Sequence, residues 1–519
     1  MSKSSRTNST RSAMDRRDLL KSAALAAAIG PTSGKGEAAH DPQLVARENA
    51  RPGALDWQLT RVRHTRLRSP WIEGYCSHQS VRAGDTLRIM VSVNPPAPFK
   101  LEIFRMGYYG GAGARLVQTL GPIEGKTQPD PPIGQRRLRE CRWEPSVELT
   151  VPETDEWPSG VYLGRLTRLS RPGDAWQSYI IFIVRDDRPA DVLFQCSDNT
   201  WQAYNTWPGG FSLYTDPRGP LAAGVDVSFD RPYGMYPQIF TECPQSMGSG
   251  EFLLWEYPLC YWLEQHSYDV SYCSNSDLLT PDRGLRCKTF LSVGHDEYWD
   301  ERQYWSVKAM IDAGVSVLFL SGNAVCWVTP FSPSGTAQPN RVITRADFFG
   351  DVTPGEKAGL PPYGPFAFAG PRAELLMGAR TIVPFNGGGD WIATRPDHWL
   401  FEGTGMKQGD GVPGLVGWEF HGAPAVGQIP GLEVVAEGLA HRGDGAPAHW
   451  TATIYPGPKG NNFVFNAATI WWPQGLSSPP GHALPWSHWT RPHGPDARVQ
   501  QITHNLLRRA TAAGRRAFP

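Results

Sequence analysis

One stretch of the chain, residues 289–323, constrains the fold more than any other. An apolar run at 289–293 leads through a glycine into the polar triplet His-Asp-Glu at 295–297. Residues 298–313 carry apolar side chains at helical spacing, and a second apolar run follows at 315–320. Strand, turn, helix and strand in one sheet predict two parallel strands joined by a right-handed crossover.

Polar side chains follow both of these predicted strands at the point where each strand ends. His295 and Glu297 come after the first strand, and Asn323 comes after the second. Open α/β sheets bind ligands outside the carboxyl ends of their strands, so these three side chains predict a functional site. Helix capping is the competing interpretation, since Asp296 or Glu297 could satisfy the free N–H groups of the following helix.

Length and charge limit the class of protein and its partners. The 519 residues are enough for two or three domains with buried cores. The 50 basic and 50 acidic residues balance, so the sequence offers no electrostatic case for a nucleic acid or an anionic membrane as partner. The eight cysteines form no Cys-x-x-Cys pair, which argues against a thiolate zinc site and leaves one or two disulfides open.

The amino terminus has the pattern of a targeting segment. Arg16 and Arg17 precede a short Ala-rich apolar stretch within residues 14–29, which is typical of a twin-arginine export signal. We therefore predict a signal peptide at 1–39 and a periplasmic or secreted protein without stable membrane association after export. A disordered tail with a chance Arg-Arg pair is the alternative.

The remaining chain divides into two regions of different pattern. Residues 40–187 contain short β-rich runs between Gly, Pro and Asp, which predict a β-sandwich of immunoglobulin-like type. The candidate strands are Leu87 to Val93, Leu101 to Met106, Val147 to Val151, Val161 to Leu169 and Tyr179 to Arg185. Residues 188–519 alternate apolar runs with helical segments and predict a doubly wound α/β domain, with long loops at 330–415.

Two tyrosine-rich segments follow the first predicted strand of the α/β region, at 204–214 and at 229–236. Aromatic packing beneath a long loop would explain them. The functional interpretation is ligation of a hard metal by phenolate oxygen. A phenol has a pKa of about 10, so only a strong Lewis acid such as ferric iron would hold it deprotonated near neutral pH.

Several other enzyme classes lack their signatures in this sequence. No Gly-x-Ser-x-Gly elbow, His-Glu-x-x-His zinc motif or Gly-x-x-x-x-Gly-Lys phosphate loop occurs. A glutamine-amidotransferase site would need a cysteine where this chain has His295 to Glu297.

Motifs throughout the chain resemble the large-subunit family of N,N-dimethylformamidase, from about residue 71 to the carboxyl end. The most specific is Ser-Val-Gly-His-Asp-Glu-Tyr-Trp at 292–299. The others are Arg-Met-Gly-Tyr-Tyr-Gly-Gly at 105–111, Ala-Tyr-Asn at 203–205, Ser-Phe-Asp-Arg-Pro at 228–232, Glu-Tyr-Pro at 256–258 and Gly-Asn-Ala at 322–324.

The resemblance implies an amidohydrolase whose single ferric iron is held by two tyrosines and one glutamate. On this chain the glutamate corresponds to Glu297, and the tyrosines are assigned to Tyr204 and Tyr233. The alternative tyrosines are Tyr214, Tyr236 and Tyr257. The implied fold is α+β and multidomain, with the sandwich followed by a glutamine-amidotransferase-like α/β domain.

The same resemblance implies that His295, Asn323 and Glu419 carry the catalysis, with Glu433 as the fallback for the acid. Iron would activate the amide carbonyl or a water, and Glu419 or His295 would move the protons. The expected partners are a small amide substrate and either a second copy or a small accessory subunit. An exported, non-catalytic protein that binds carbohydrate or another polymer is the alternative.

Overall fold

This computed structural model describes residues 40–170, 173–222, 224–236, 243–350, 370–381, 387–442, 447–482 and 494–512. The predicted signal peptide, residues 1–39, lies outside the described residues, and so does part of the 330–415 region. The described chain is mixed α+β and consists mainly of sheets. Within it, no helix combines the length and the apolar character that crossing a membrane requires.

Two sheets in the amino-terminal part enclose one apolar core. The elements are helix α1 (Leu44–Asn49) and strands β1 (Ile72–Cys76), β2 (Ser80–Val81), β3 (Thr86–Val93), β4 (Pro98–Met106), β5 (Ala114–Glu124), β6 (Val147–Thr150), β7 (Gly160–Arg168) and β8 (Gln177–Val184). One sheet has the order β1-β3-β6, and the other has the order β2-β8-β7-β4-β5. Ile89 of the first sheet and Leu101 and Phe182 of the second belong to the same buried cluster.

The five strands predicted for this region are all present, as β3, β4, β6, β7 and β8. The prediction missed β1, β2 and β5. Strand β5 lies at the edge of its sheet, and all but one of its residues are partly or fully exposed. Its sequence therefore lacks the strict apolar alternation of a strand with one buried face.

The carboxyl-terminal part is built on a nine-stranded sheet with smaller sheets beside it. Its strands are β9 (Ala190–Gln195), β10 (Asp226–Ser228), β11 (Val270–Cys273), β12 (Cys287–Gly294), β13 (Tyr298–Trp299), β14 (Ser316–Ser321), β15 (Trp327–Val328), β16 (Phe331–Ser332), β17 (Val342–Thr344), β18 (Asp347–Phe348), β19 (Ala379–Thr381), β20 (Gly387–Ile392), β21 (Gly411–Trp418), β22 (His421–Pro424), β23 (Glu433–Arg442), β24 (Pro447–Pro456) and β25 (Phe463–Asn466). Its helices are α2 (Asp198–Tyr204), α3 (Phe252–Trp255), α4 (Tyr257–Gln265), α5 (Glu301–Ala313), α6 (Glu374–Met377) and α7 (Ala497–Ala512).

The large sheet has a parallel and an antiparallel half. Its order is β11-β9-β12-β14-β25-β24-β23-β20-β21, and the first five strands are parallel. The last four continue it in antiparallel fashion. The predicted doubly wound α/β pattern therefore matches only the parallel half of the sheet. The region predicted as long loops, residues 330–415, contains strands β16 to β20 and the beginning of β21. Strand β20 begins Gly-Gly-Gly, which explains why no apolar period was visible there.

The predicted strand-helix-strand unit is confirmed in its topology and corrected at one boundary. Strands β12 and β14 are parallel neighbours and α5 connects them. The helix does not begin at Tyr298, because residues 298–299 form β13, which pairs with β15. Asp300 is the N-cap of α5, and its side chain accepts from the Arg302 N–H, so the helix starts at Glu301.

A buried ion pair joins the amino-terminal sheets to the α/β part. Arg105 of β4 donates from both Nη atoms to the two carboxylate oxygens of Glu264 on α4, at 2.9 and 2.8 Å. Both side chains are completely buried. Tyr272 and Asn49 also donate to Glu264, so each oxygen of this buried carboxylate accepts two hydrogen bonds from protein groups. The division of the chain at residue 187 stays a prediction.

Candidate active site

Two glycines bring the ends of β12 and β14 close to neighbouring chain segments. Gly294 has φ 64°, and a Cβ there would lie 2.9 Å from the Trp255 carbonyl oxygen. A Cβ on Gly322 would lie 2.3 Å from the Glu419 carbonyl oxygen and 2.4 Å from the Ile470 nitrogen. Because a Cβ at either position would clash, glycine lets the end of β12 approach Trp255 and lets the end of β14 approach the segment that carries Glu419.

The centre of the site is a buried group of one histidine and two carboxylates. His295 Nε2 lies 2.6 Å from Glu419 Oε2 and 3.2 Å from Glu297 Oε2. The three residues are 1%, 5% and 3% exposed, respectively. One ligand atom from each lies within 4.8 Å of the others, which is close enough to hold a metal ion between them. The sequence placed His295 and Glu297 together, and the structure brings Glu419 to both.

Phenol groups contact both carboxylate oxygens of Glu297. Tyr204 donates from its hydroxyl to Glu297 Oε2 at 2.7 Å, and Tyr214 donates to Oε1 at 3.4 Å. The two phenol rings are stacked, with centroids 4.8 Å apart. Tyr298 hydrogen-bonds to the Tyr214 hydroxyl and completes a three-phenol group. The indole N–H of Trp327 also donates to Glu297 Oε1, at 2.9 Å.

The other tyrosines considered from sequence lie elsewhere. Tyr233 packs edge-on against Trp201, with ring centroids 6.4 Å apart. Tyr257 donates to the Gly113 carbonyl, and Tyr236 packs edge-on against Trp255. The structure therefore brings Tyr204 and the alternative Tyr214 to Glu297 and places Tyr233 against another side chain.

Asp296 points away from this group and into the sheet. It accepts hydrogen bonds from Gln195 at 2.6 Å, Ser292 at 2.8 Å and Asn275 at 3.2 Å. Burial raises the pKa of its carboxyl to about 6. Neighbouring side chains on the turn thus have different roles, because Glu297 faces the phenols and Asp296 anchors the turn.

Asn323 lies beside Glu419 in a left-handed backbone conformation, with φ 53°. Burial raises the pKa of the Glu419 carboxyl, and the neighbouring Asn323 side chain acts in the opposite direction. The next residue, Ala324, donates its N–H to His421 Nε2 at 2.9 Å, and His421 Nδ1 therefore carries the proton and donates to Asn466 Oδ1 at 2.8 Å. Burial lowers the pKa of His421 to about 4, so it is a neutral support for this loop.

Burial and the facing carboxylates set the protonation of the central group. Burial by itself would lower the pKa of His295, but Glu419 and Glu297 raise it well above the ordinary value. Burial raises the pKa of Glu419. Burial and the Glu297 carboxylate together raise the pKa of Tyr204 well above its usual range. The phenol is thus protonated and donates to Glu297 unless a cation lies between them.

The donor atoms at Glu297 fit a hard metal ion. Two phenol oxygens and a carboxylate lie within hydrogen-bond contact of each other, and oxygen donors of this type suit highly charged cations. A second His-Asp group, formed by His40, Asp191 and Asp269, differs because protein cations already neutralise it. Lys288 lies 2.6 Å from Asp191, and Arg188 lies 2.5 Å from Asp269.

Sequence reasoning missed four residues of the site, namely Tyr298, Trp327, His421 and Glu251. Tyr298 is adjacent to Glu297, but the helix predicted at 298–313 included it, whereas it lies in β13. The other three come from separate segments with no shared motif, and only the fold brings them together. Glu251 approaches His295 from the side opposite Glu419, with Oε2 3.9 Å from His295 Nδ1.

A family comparison identifies the class of protein. The family described as "N,N-dimethylformamidase beta subunit-like, C-terminal" matches residues 100–485. The chain belongs to this family. Membership in the N,N-dimethylformamidase beta-subunit-like family confirms the resemblance drawn from the His-Asp-Glu block and the tyrosine-rich segments, and it supports a dimethylformamidase-like hydrolase.

No curated protein matches this chain. Among solved structures, domain 1 of VCBP3 from Branchiostoma floridae is similar over 22% of this chain and 93% of its own, at 14% identity and a TM-score of 0.14. That likeness is too low to carry an argument about fold or function.

Proposed function

We propose that this protein is an iron-dependent amidohydrolase that cleaves the C–N bond of a linear amide. The observation that carries the proposal is the buried group of His295, Glu297 and Glu419 with phenol hydroxyls against Glu297. Family membership supports the hydrolase class.

In this proposal Tyr204, Tyr214 and Glu297 hold the iron. Tyr214 takes the place first assigned to Tyr233, because its hydroxyl lies 3.4 Å from Glu297. A ferric ion bound there supplies Lewis-acid activation of the amide carbonyl.

The protein's own groups would move the protons. The His295–Glu419 pair, 2.6 Å apart, takes a proton from the attacking water and returns one to the amine nitrogen as the C–N bond breaks. Asn323, beside Glu419, is placed to hold the carbonyl oxygen as it gains negative charge. The products are a carboxylic acid and an amine.

Elemental analysis and amine release from a panel of linear amides test this function. We expect about one iron per chain and amide hydrolysis by the wild-type protein. Glu419→Gln should abolish most turnover, whereas Glu433→Gln should not. Glu433 is the matched control, because it lies at the surface in an ion pair with Arg395, 2.9 Å away. A protein without metal that hydrolyses amides would contradict the iron proposal, and an iron protein that hydrolyses none would favour the polymer-binding alternative.

Export by the twin-arginine route is a second part of the proposal, supported by Arg16, Arg17 and the Ala-rich stretch after them. Replacing both arginines with lysine should leave the precursor in the cytoplasm, as cell fractionation would show. An exported enzyme meets its substrate outside the inner membrane, so we expect small amides such as dimethylformamide or formamide to be poor substrates, although the reaction is still C–N hydrolysis. Efficient turnover of dimethylformamide by this chain alone would contradict that expectation.

We also assign finer classes to the two parts of the fold, the immunoglobulin-like class to the sandwich and the glutamine-amidotransferase-like class to the α/β part. Two sheets around one core support the first assignment, and five parallel strands with a crossover helix support the second. A second copy or a small accessory subunit stays the expected protein partner, and size-exclusion chromatography with light scattering would detect either.

A further inference from the structure

Two buried polar atoms face each other behind the catalytic histidine without forming a hydrogen bond. His295 Nδ1 lies 3.9 Å from the nearer carboxylate oxygen of Glu251. His295 is 1% exposed and Glu251 is 2% exposed. Among the described residues, His295 Nδ1 and Glu251 Oε1 have no hydrogen-bond partner, whereas Glu251 Oε2, the oxygen nearer to Nδ1, accepts from Trp255. Buried groups of this kind normally pair, since an unmade hydrogen bond costs about 1–3 kcal/mol.

A hydrogen bond from Trp255 places Glu251 beside the His295 ring. Glu251 Oε2 accepts from the Trp255 indole N–H at 2.9 Å. Trp255 in turn packs edge-on against the His295 ring, with centroids 6.0 Å apart, and against Trp471, with centroids 5.1 Å apart. The carboxylate and the imidazole are therefore positioned by the same indole.

The gap is small enough for a side-chain rotation to close. A hydrogen bond between nitrogen and oxygen needs about 2.7–3.2 Å, so the two groups must approach by roughly 1 Å. Catalytic hydrogen bonds are often long in a free enzyme and shorten when substrate binds. We propose that Glu251 is the positioning residue of His295, closing onto Nδ1 and holding the imidazole so that Nε2 faces Glu419.

This role rests on the proposed amide hydrolysis and makes it more specific. The imidazole can exchange protons with Glu419 and the leaving amine only while Nε2 points at them. A carboxyl oxygen that accepts from Nδ1–H selects that ring orientation, as an acidic partner does in other histidine-dependent hydrolases. Glu251 itself touches neither the substrate nor the reacting atoms.

Glu251→Gln tests the role in solution, with Glu256→Gln as the matched control. Both carboxylates are buried and accept an indole N–H, since Glu256 Oε1 accepts from Trp201 at 2.8 Å, and Glu256 also accepts from the backbone of Ser197. A glutamine at 251 can still accept from Trp255 but would present an NH₂ group to Nδ1. We expect kcat to fall about 10- to 100-fold in Glu251→Gln, with unchanged KM and iron content. Glu256→Gln should keep kcat within a few-fold. An unchanged kcat in Glu251→Gln, or an equal loss in both variants, would overturn the proposal.

A crystal structure of the wild-type protein soaked with formamide provides a second measurement that needs no variant. We expect a Glu251–His295 Nδ1 distance of about 2.8 Å. A distance that stays beyond about 3.5 Å would overturn the proposal, even if Glu251→Gln does not fold. If the wild-type protein hydrolyses no amide, the proposed function fails, while this distance still decides the contact between Glu251 and His295.

Discussion

Two buried charged clusters in this protein differ in how many of their polar atoms have hydrogen-bond partners. In the cluster between the two parts of the fold, Arg105 and Tyr272 donate to Glu264 Oε1, while Arg105 and Asn49 donate to Oε2. At the candidate active site, Glu251 Oε1 and Asn323 Oδ1 have no hydrogen-bond partner among the described residues. In the first cluster both Glu264 oxygens are paired and, among the described residues, only Arg105 Nε lacks a hydrogen-bond partner. The second cluster leaves several donor and acceptor atoms available for a ligand.

The number of carboxylates per cation also separates the two clusters. Glu264 faces a guanidinium that is always charged. At the site, Glu297, Glu419 and Glu251 all approach one imidazole. A group with this excess of acid is stabilised by a bound cation, which is the physical reason to expect a metal there and none at Arg105.

The largest expected effect is loss of the metal in Glu297→Ala. This change removes the carboxylate that accepts from Tyr204 and Tyr214, so iron content should fall close to zero and amide hydrolysis with it. The fold should survive, because the residue is not part of the large sheet. Elemental analysis with circular dichroism checks both points. Normal iron content in the folded variant would remove Glu297 from the ligand set.

Arg105→Ala should instead act on stability. Removing the guanidinium leaves the buried Glu264 carboxylate without its cation, which costs about 3–5 kcal/mol. Denaturant unfolding measures the change, and iron bound per folded chain should stay the same. Arg508→Ala is the control, because its ion pair with Glu402 is exposed and such pairs contribute about 0–1 kcal/mol. Equal losses in both variants would show that the buried pair of Arg105 and Glu264 has no special role.

His295→Ala should lower kcat by about 10²- to 10⁴-fold because general acid–base catalysis is lost, and its iron content should stay near normal. Asn323→Ala should lower kcat by about 10²- to 10³-fold for the loss of one oxyanion donor. Single-turnover kinetics on protein of known iron content measure both effects. Disappearance of the iron in His295→Ala would make His295 a metal ligand and not a proton carrier.

The smallest effect is expected for His421→Gln. The imidazole links Ala324 to Asn466 and so supports the loop that carries Asn323, and loss of such support typically lowers activity about 10-fold. Steady-state kinetics against His449→Gln provide the comparison, since His449 is at the surface beside Glu437. An activity equal to that of the control would show that Asn323 holds its position without this support.

Sequence alone predicted the parts of the fold that depend on local pattern. The apolar runs at 289–293 and 315–320 predicted β12 and β14 with the correct parallel pairing, and five strands of the two amino-terminal sheets were predicted in the same way. Strand β20, which begins with three glycines, and the exposed edge strand β5 carry no such period and were missed.

What the sequence by itself determined was that His295, Glu297 and Asn323 follow two neighbouring strands of one sheet. Local apolar periodicity identifies the two strands and the helix between them, and a helix that joins two strands of one sheet makes those strands parallel. Only the tertiary structure decided that Tyr214 and not Tyr233 contacts Glu297, and that Glu251 and Glu419 approach opposite sides of His295. These choices depend on how distant segments pack, at positions such as Gly294 and Gly322, where a single methyl group would keep the segments apart.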